Sequence, residues 1–506
     1  MKYKSHHTVR VKPEDIGIDF EDHPGSFAII KDNRPDNITV ITDHGGSIPV
    51  YYSDIKGELS VAKRPEDART SKTANPIDIV SAVDFIINDT VCYPYSLFEN
   101  VYACPPGAKT IITPSDVTSE IYYEPREVEA YGSARDWGEQ IREAVQGSIN
   151  KEISPEQNVK ILYSGGEDAR SVASLLPNNV KAEAVTVADS YNREVKLAKR
   201  AAKAQSLDFK FVKRPKDFYK SDLENRAKKV GAGKDIRHTH FTGKIAKSIE
   251  NADVLVGGYT SDILFKGFRM NNMRKETKLS PQILIKDNFN HPIGIIDAES
   301  FEWLNTMYAK AVNDRRMAHH KRLLEIRPTT AGNWQTRWPL SQLDAYSQYL
   351  SNLQIGPNVV EPFLTVKSFQ VAAQLPDQYR IDRKAFRSAF KNSLGKAAFL
   401  TTSSGSVPAI GGYSGKFIKT GINQFRRIDR KVMRRSNIQG PWNKDHSGFE
   451  ISIGQVLGNS KTEKLGELMS NAFTANELKN KTPLEAINAL PRQQRLRAIQ
   501  VGFFLD

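Results

Sequence analysis

Cysteine is nearly missing from this chain: two thiols, Cys92 and Cys104, occur in 506 residues. Two cysteines build neither a disulfide framework nor a cysteine-based zinc cluster, so a reducing cytoplasm is the expected setting. Long apolar runs are missing too. No stretch approaches the roughly 18 apolar residues of a membrane span. The opening MKYKSHHTVRVKPED has no apolar segment of the secretory type, and no membrane partner is expected. Acids are scarce relative to bases, 58 against 72, which gives a formal charge of +14 and favours anionic partners such as nucleic acid, acidic peptides or phosphates. With 39% hydrophobic and 26% charged residues, the composition excludes collagen-like and wholly disordered chains. What is present is a globular chain long enough for several domains.

Residues 1–130 read as strand-rich. Short apolar runs, FAII (27–30), ITVIT (38–42), PVYYS (49–53) and TIIT (110–113), alternate with Gly, Pro, Asp and Asn turns. A helix is predicted over 133–151, where Trp137, Ile141, Ala144, Val145 and Ile149 share one face. Through 131–400 the pattern becomes strand, Gly-rich turn and helix: VKILYS (159–164), a helix over 168–176, AEAVTV (182–187), a helix over 192–205, and FKFV (209–212). That alternation predicts a parallel sheet with crossover helices. Residues 401–506 form a third stretch. It opens with the Gly/Ser-rich TTSSGSVPAIGGYSG (401–415) and continues into 416–435, which has eight Lys/Arg against one acid, Asp429. Phe425, Ile428 and Val432 repeat there at helical spacing, predicting a basic amphipathic helix. It is either a solvated helix packed by its apolar stripe or a docking surface for an anionic partner.

The sharpest local signal is VKILYSGGEDARSVASLL (159–176). A buried strand runs into Ser164-Gly165-Gly166-Glu167-Asp168 and then a helix. Glycines let the backbone approach an anion closely, and the amides opening the helix carry the positive end of its dipole. A phosphate suits that spot, although a plain αβ turn has the same outline. Asp168 repels phosphate unless magnesium bridges the two. A second unit, VLVGGYTSDILFKGF (254–268), runs from strand to Gly257-Gly258-Tyr259-Thr260-Ser261-Asp262. Both turns are expected at the carboxyl edge of one parallel sheet, with Asp168 and Asp262 facing one metal.

SGGEDARSVASLL resembles the SGGxDS pyrophosphate loop of the asparagine synthetase-like, N-type ATP pyrophosphatases, and GYTSDILFKGF resembles their GxGxDE(L/I)FxG(Y/F) segment. Arg193-Glu194 with Ala198, and EPFLTVKSFQVAAQLPDQY (361–379), resemble further segments of that family. DHGGSIPVYY (43–52) and LFENVYACPPGA (97–108) are similar to segments of the class II glutamine amidotransferase domain that precedes the synthetase domain in it. The resemblance implies an α/β chain with an α+β N-terminal domain: a degenerate αββα domain of the N-terminal nucleophile hydrolase type, followed by a PP-loop, Rossmann-like synthetase domain. ATP and Mg2+ are the cofactors it implies. Ser164, Gly165, Gly166, Asp168 and Gly258 would bind the nucleotide, and Asp168 and Asp262 the metal.

The departures narrow the expected chemistry. The amidotransferase nucleophile is a cysteine directly after the initiator Met, whereas this chain has Lys2; glutamine hydrolysis is not expected. Tyr259 stands where asparagine synthetases have Glu, which is similar to the β-lactam and carbapenam synthetases. There a Tyr paired with a Glu takes a proton from the attacking nitrogen, and Glu299, rather than Asp297 or Glu302, is assigned as the partner by position. An aromatic packed beside a loop is the plainer reading of Tyr259. The family's K-x-x-x-R resembles IDRKAFRSAF (381–390), assigning the charge-stabilising role to Lys384, with Arg383 one residue away. Ala169 and Ile263 replace a Ser and a Glu of the pattern. The expected activity is an ATP-dependent, AMP-forming carbon–nitrogen ligase. It would join a carboxylate to an amine, typically within one small-molecule or peptide substrate, as β-lactam synthetases and lasso-peptide cyclases do. A nucleic-acid-modifying enzyme of the same fold and a non-catalytic scaffold are the alternatives.

Overall fold

The computed structural model describes residues 8–10, 25–71, 73–215, 218, 222–268, 270, 296–343, 346–432 and 453–505. Lys2 and the end of the basic stretch, 433–435, lie outside them.

The N-terminal strands are β1 (Thr8–Arg10), β2 (Ala28–Asn33), β3 (Asn37–Thr42), β4 (Tyr51–Ser53), β5 (Val61–Ala62), β6 (Val101–Ala103), β7 (Ala108–Ile112) and β8 (Val117–Ile121). They form two sheets, ordered β1-β8-β7-β3-β2 and β5-β4-β6. All pairs are antiparallel except β1 with β8. The period-2 alternation of strand side chains explains how the sheets stack. Ile38 and Val40 of β3 meet Tyr52 of β4 between the sheets, together with Ile112 and Val117. Ile41 points the other way, onto Phe27, Tyr122 and Val366. Tyr51 faces helix α1 (Ile79–Asn88), started by the Asp78 cap, through Phe85 and Ile86. The stack is thus one helix and two sheets. Its other outer face packs on Val366, far along the chain.

Helix α2 (Ala134–Glu152) begins at a Ser133/Asp136 capping box and buries Trp137, Ile141, Ala144, Val145 and Ile149. Beyond it lie β9 (Asn158–Leu162), α3 (Glu167–Ala173), β10 (Lys181–Ala188), α4 (Arg193–Ala204), β11 (Asp208–Lys213), β12 (Val254–Val256) and β13 (Asn358–Val360). These five strands form an all-parallel sheet in the order β11-β10-β9-β12-β13. From β9 the chain steps outward to β10 and β11; with β12 it returns to the other side of β9. Strand order therefore reverses between β9 and β12, which opens a crevice beyond their carboxyl ends where open α/β sheets bind ligands.

Residues 453–505 share a core with α1. Leu465, Leu496, Ile499 and Phe504 pack with Phe85, Val185 and Leu255. In helix Arg492–Gly502 the buried Arg497 pairs with Asp235 at 2.9 Å and reaches Asp89 and the Ile86 carbonyl. Among the described residues, no helix is long and apolar enough to cross a membrane.

Candidate active site

The two Gly-rich turns flank the crevice at the strand-order reversal. After β9, Gly165 adopts φ +69°, and a Cβ there would lie 2.7 Å from the Ala198 Cα of α4. Glycine is required both for the left-handed backbone and for the approach of α4. Gly166 caps α3 with extended backbone, and its N–H is 3.2 Å from the Ser164 hydroxyl. After β12, Gly258 lies against Asp168, whose Cβ would be 3.1 Å from an added one. A Cβ on Gly257 would overlap the Glu361 carboxylate. Thr260 then turns at φ +66°, unusual for a branched residue, and its hydroxyl donates to the Tyr259 carbonyl at 2.6 Å.

These turns enclose a cavity of about 270 Å³. Ser164, Asp168, Gly258 and Tyr259 line it, joined by Glu194 and Glu361. Its inner wall is apolar, with Leu162, Val185, Val187 and Phe241. Tyr259 is half-buried and its ring lies 6.1 Å from that of Tyr346.

Three expected placements need correction. Glu299 sits in the short turn Ala298–Ser300, exposed, and accepts from the Asn313 amide at 3.3 Å. It is not among the residues lining the cavity. The carboxylate beside Tyr259 is Glu361, at the end of β13, which accepts the Tyr259 backbone N–H at 2.9 Å. Burial pushes the Glu361 carboxyl up to about 8. Second, Lys384 is exposed at the start of helix Lys384–Phe390. Arg383 is the cation turned toward α3, 2.6 Å from Glu167 and near Asp168 and Asp262, beside the cavity rather than lining it. Asp382 and Arg383 both have φ +61°, a pair of left-handed residues that turns Arg383 inward.

The third concerns the metal. Asp168 and Asp262 converge as expected, but the ammonium of Lys266, only 3% exposed, sits between them and pairs with both. Ser261 donates its hydroxyl to Asp168 as well. Burial alone would raise the Asp168 carboxyl; Lys266, Ser261 and Arg383 outweigh it and hold it below its ordinary value. Burial likewise opposes the charge on Lys266, and Asp168 and Asp262 keep that ammonium above its ordinary value. In nucleotide sites magnesium takes one or two carboxylates and completes its octahedron with water and phosphate oxygens. Here the buried ammonium already occupies the position between the two carboxylates. Among the described residues, no group of three or more His, Cys, Asp or Glu side chains is arranged for a metal.

Lys266 and Glu361 escaped the sequence reading. Lys266 occupies a position the motif leaves open, its signal being a base four residues after an acid in a turn. Glu361 follows the apolar Val359-Val360 directly, where a strand's carboxyl end is expected. Of the remaining features, Cys92 and Cys104 are buried and burial raises each thiol to about 12, so both are inert as nucleophiles. The basic helix forms as Gly412–Val432, but Phe425 and Ile428 are exposed, along with Tyr413 and Phe417. Phe425 and Ile428 of the stripe therefore lie open, against the first of the two alternatives. Lys416 ties the start of this helix to Asp382 at 3.0 Å, next to Arg383.

No protein-family model matches the chain. Asparagine synthetase [glutamine-hydrolyzing] 1 of Bacillus subtilis (strain 168) is 24% identical over 189 residues, which is 36% of this chain and 30% of that enzyme. The chain thus spans less than a third of that relative's length. That similarity is to part of an asparagine synthetase and reaches no particular branch. Among solved structures, the NH3-dependent NAD synthetase of Campylobacter jejuni subsp. jejuni NCTC 11168 is 12% identical, covering 43% of this chain and 96% of that one, with a TM-score of 0.21. The NMN synthetase of Francisella tularensis is 12% identical, covering 49% and 98%, with a TM-score of 0.19. At such scores the superpositions carry no weight; the chain's own strand order does.

Proposed function

We propose that this chain is an ATP-dependent, AMP-forming ligase that makes an amide bond. The observation that carries the reading is the crevice at the strand-order reversal. A glycine phosphate loop on one side faces the Gly257–Tyr259 turn on the other, with Arg383 and Lys266 supplying positive charge. In this reading the Ser164–Gly166 amides and the opening of α3 hold the β- and γ-phosphates, and the apolar wall receives the adenine ring. A substrate carboxylate oxygen attacks the α-phosphorus, and pyrophosphate leaves. Arg383 and Lys266 stabilise the charge that develops. An amine then attacks the acyl carbon of the adenylate and AMP departs with the bonding electron pair. A carboxylate lining the cavity, Glu194 or Glu361, takes the amine proton, with the Tyr259 phenol placed there to relay it by passing its own proton on. A phenol is a weak base near neutral pH, so the step gains most when carboxylate and amine belong to one molecule. We read the substrate as such a molecule, cyclised without ammonia from glutamine. The open basic helix Gly412–Val432 suits an acidic peptide segment of it.

The test is ATP binding by calorimetry, followed by ATP–pyrophosphate exchange with candidate carboxylates. Expected is nucleotide binding that Asp168→Ala weakens and exchange that appears only with a carboxylate present. A folded protein that ignores ATP, with and without the acids, overturns the reading.

A further inference from the structure

The sequence pattern placed a divalent ion between Asp168 and Asp262; the fold places a side chain there. We infer that the Lys266 ammonium is the resident cation of this site, taking the bridging position between the two carboxylates, so that a triphosphate binds without a metal held by Asp168 and Asp262. The nucleotide half of this inference rests on the ligase reading above; the position of the cation does not.

Three observations carry it. Lys266 pairs with both carboxylates at once, and Ser261 adds a hydrogen bond to Asp168, so the cluster is internally satisfied. The lysine is covalently fixed: Asp262 lies four residues before it, and the intervening turn Ser261–Leu264 sets the spacing. Below the ammonium is the ring of Phe386, 5.1 Å from Nζ to its centre, and the side chain is 3% exposed. Retreat would therefore require either burying the charge against an aromatic core or unfolding the turn. A second cation entering between the carboxylates would meet the first at close range, with little intervening water to screen the repulsion. Asp262 keeps half of its surface exposed, so an ion carried by the phosphates can approach its outer edge, but not the bridge.

The ammonium is a single charge with three donors and flexible reach, unlike a divalent ion with an ordered water shell. It draws the loop of α3 and the turn after β12 together before any ligand arrives. It also leaves a net charge of −1 on the trio rather than −2, which lowers the repulsion that an incoming triphosphate meets. The ligand's own metal is then optional at this bridge.

Manganese titration of the nucleotide-free protein, followed by the electron paramagnetic resonance of free Mn2+, tests the cation directly. The wild type should take up no ion assignable to Asp168 and Asp262. Lys266→Met should lower Tm and take up one equivalent, lost again when Asp262→Asn is added, and the bound ion should restore part of the stability. If Lys266→Met does not fold, Lys266→Arg keeps a cation in place and should be as blind to manganese as the wild type. A wild-type site that binds one equivalent and loses it in Asp262→Asn overturns the inference, as does a folded Lys266→Met that stays blind. For the nucleotide, ATP affinity in EDTA should lie within about tenfold of that in magnesium, under about 1.4 kcal/mol. A hundredfold or greater loss in EDTA, on the order of 2.7 kcal/mol, overturns it. If ATP binds under neither condition, the ligase reading fails while the manganese result still decides the place of Lys266.

Discussion

At the scale of single residues, charge inside the crevice is set by a few close partners. Glu361 shows it most simply. Its carboxyl is raised from 4.5 to about 8 by burial, against the single hydrogen bond it receives from the Tyr259 backbone. A folded-state value above the unfolded one means that the native protein holds the extra proton. That contribution to stability is fully present below about 4.5 and is lost as pH rises through about 8. Thermal melts across this window should show the wild type weakening toward alkaline pH and Glu361→Gln flattening that slope, since the amide still accepts the Tyr259 N–H. An unchanged slope in Glu361→Gln would assign the titration elsewhere. Glu361→Ala leaves that buried N–H unpaired and should cost about 1–3 kcal/mol in denaturant unfolding. The neighbouring cations separate just as cleanly. Arg383→Met should slow ATP–pyrophosphate exchange on the order of 10²-fold, whereas Lys384→Met, on the exposed side of the same turn, should leave it within a factor of about 3.

Elements decide how close the loops can come. The Ser164–Gly166 turn can lie against α4 only because Gly165 is left-handed and Ala198 is small. Gly165→Ala should cost about 1–2 kcal/mol for the backbone, more for the overlap with α4, and should abolish ATP binding in whatever folded fraction remains. Calorimetry on the purified variant checks it. This part of the site was legible in the sequence because its cause is local: an apolar strand, two glycines, a helix start, all within a dozen residues. The carboxylate beside Tyr259 was not legible for the opposite reason. Glu361 lies 102 residues from Tyr259 along the chain, and only the pairing of β12 with β13 makes them neighbours. Distance along the sequence favoured Glu299, which the fold sends elsewhere. Helical period in the basic stretch was read correctly, but period says nothing about what lies beneath a stripe. Phe425, at 71% exposure, has no core under it. Lys266 combined both difficulties, being local to Asp262 and distant from Asp168 in a slot that the motif leaves free.

Across the whole molecule, distant segments complete each other's cores. The outer face of the larger N-terminal sheet needs Val366, and α1 needs Leu496, Ile499 and Phe504. Arg497 is the polar anchor of that second junction, paired with Asp235 and Asp89 and bonded to the Ile86 and Ile87 carbonyls. Removing it takes the donor from the Ile86 and Ile87 carbonyls, while Arg237 still pairs with Asp235 and Asp89, so Arg497→Met should lower the unfolding free energy by about 1–3 kcal/mol; a urea midpoint unchanged from the wild type would show that the junction tolerates its loss. The same junction sets a timetable. Ile86 and Arg497 are 411 residues apart, so at synthesis rates of about 5–20 residues per second roughly 20–80 s pass between their emergence from the ribosome. Throughout that interval the part of α1 that helix Arg492–Gly502 covers has no lid, and the nascent chain presents it to whatever chaperone or neighbouring polysome is nearest.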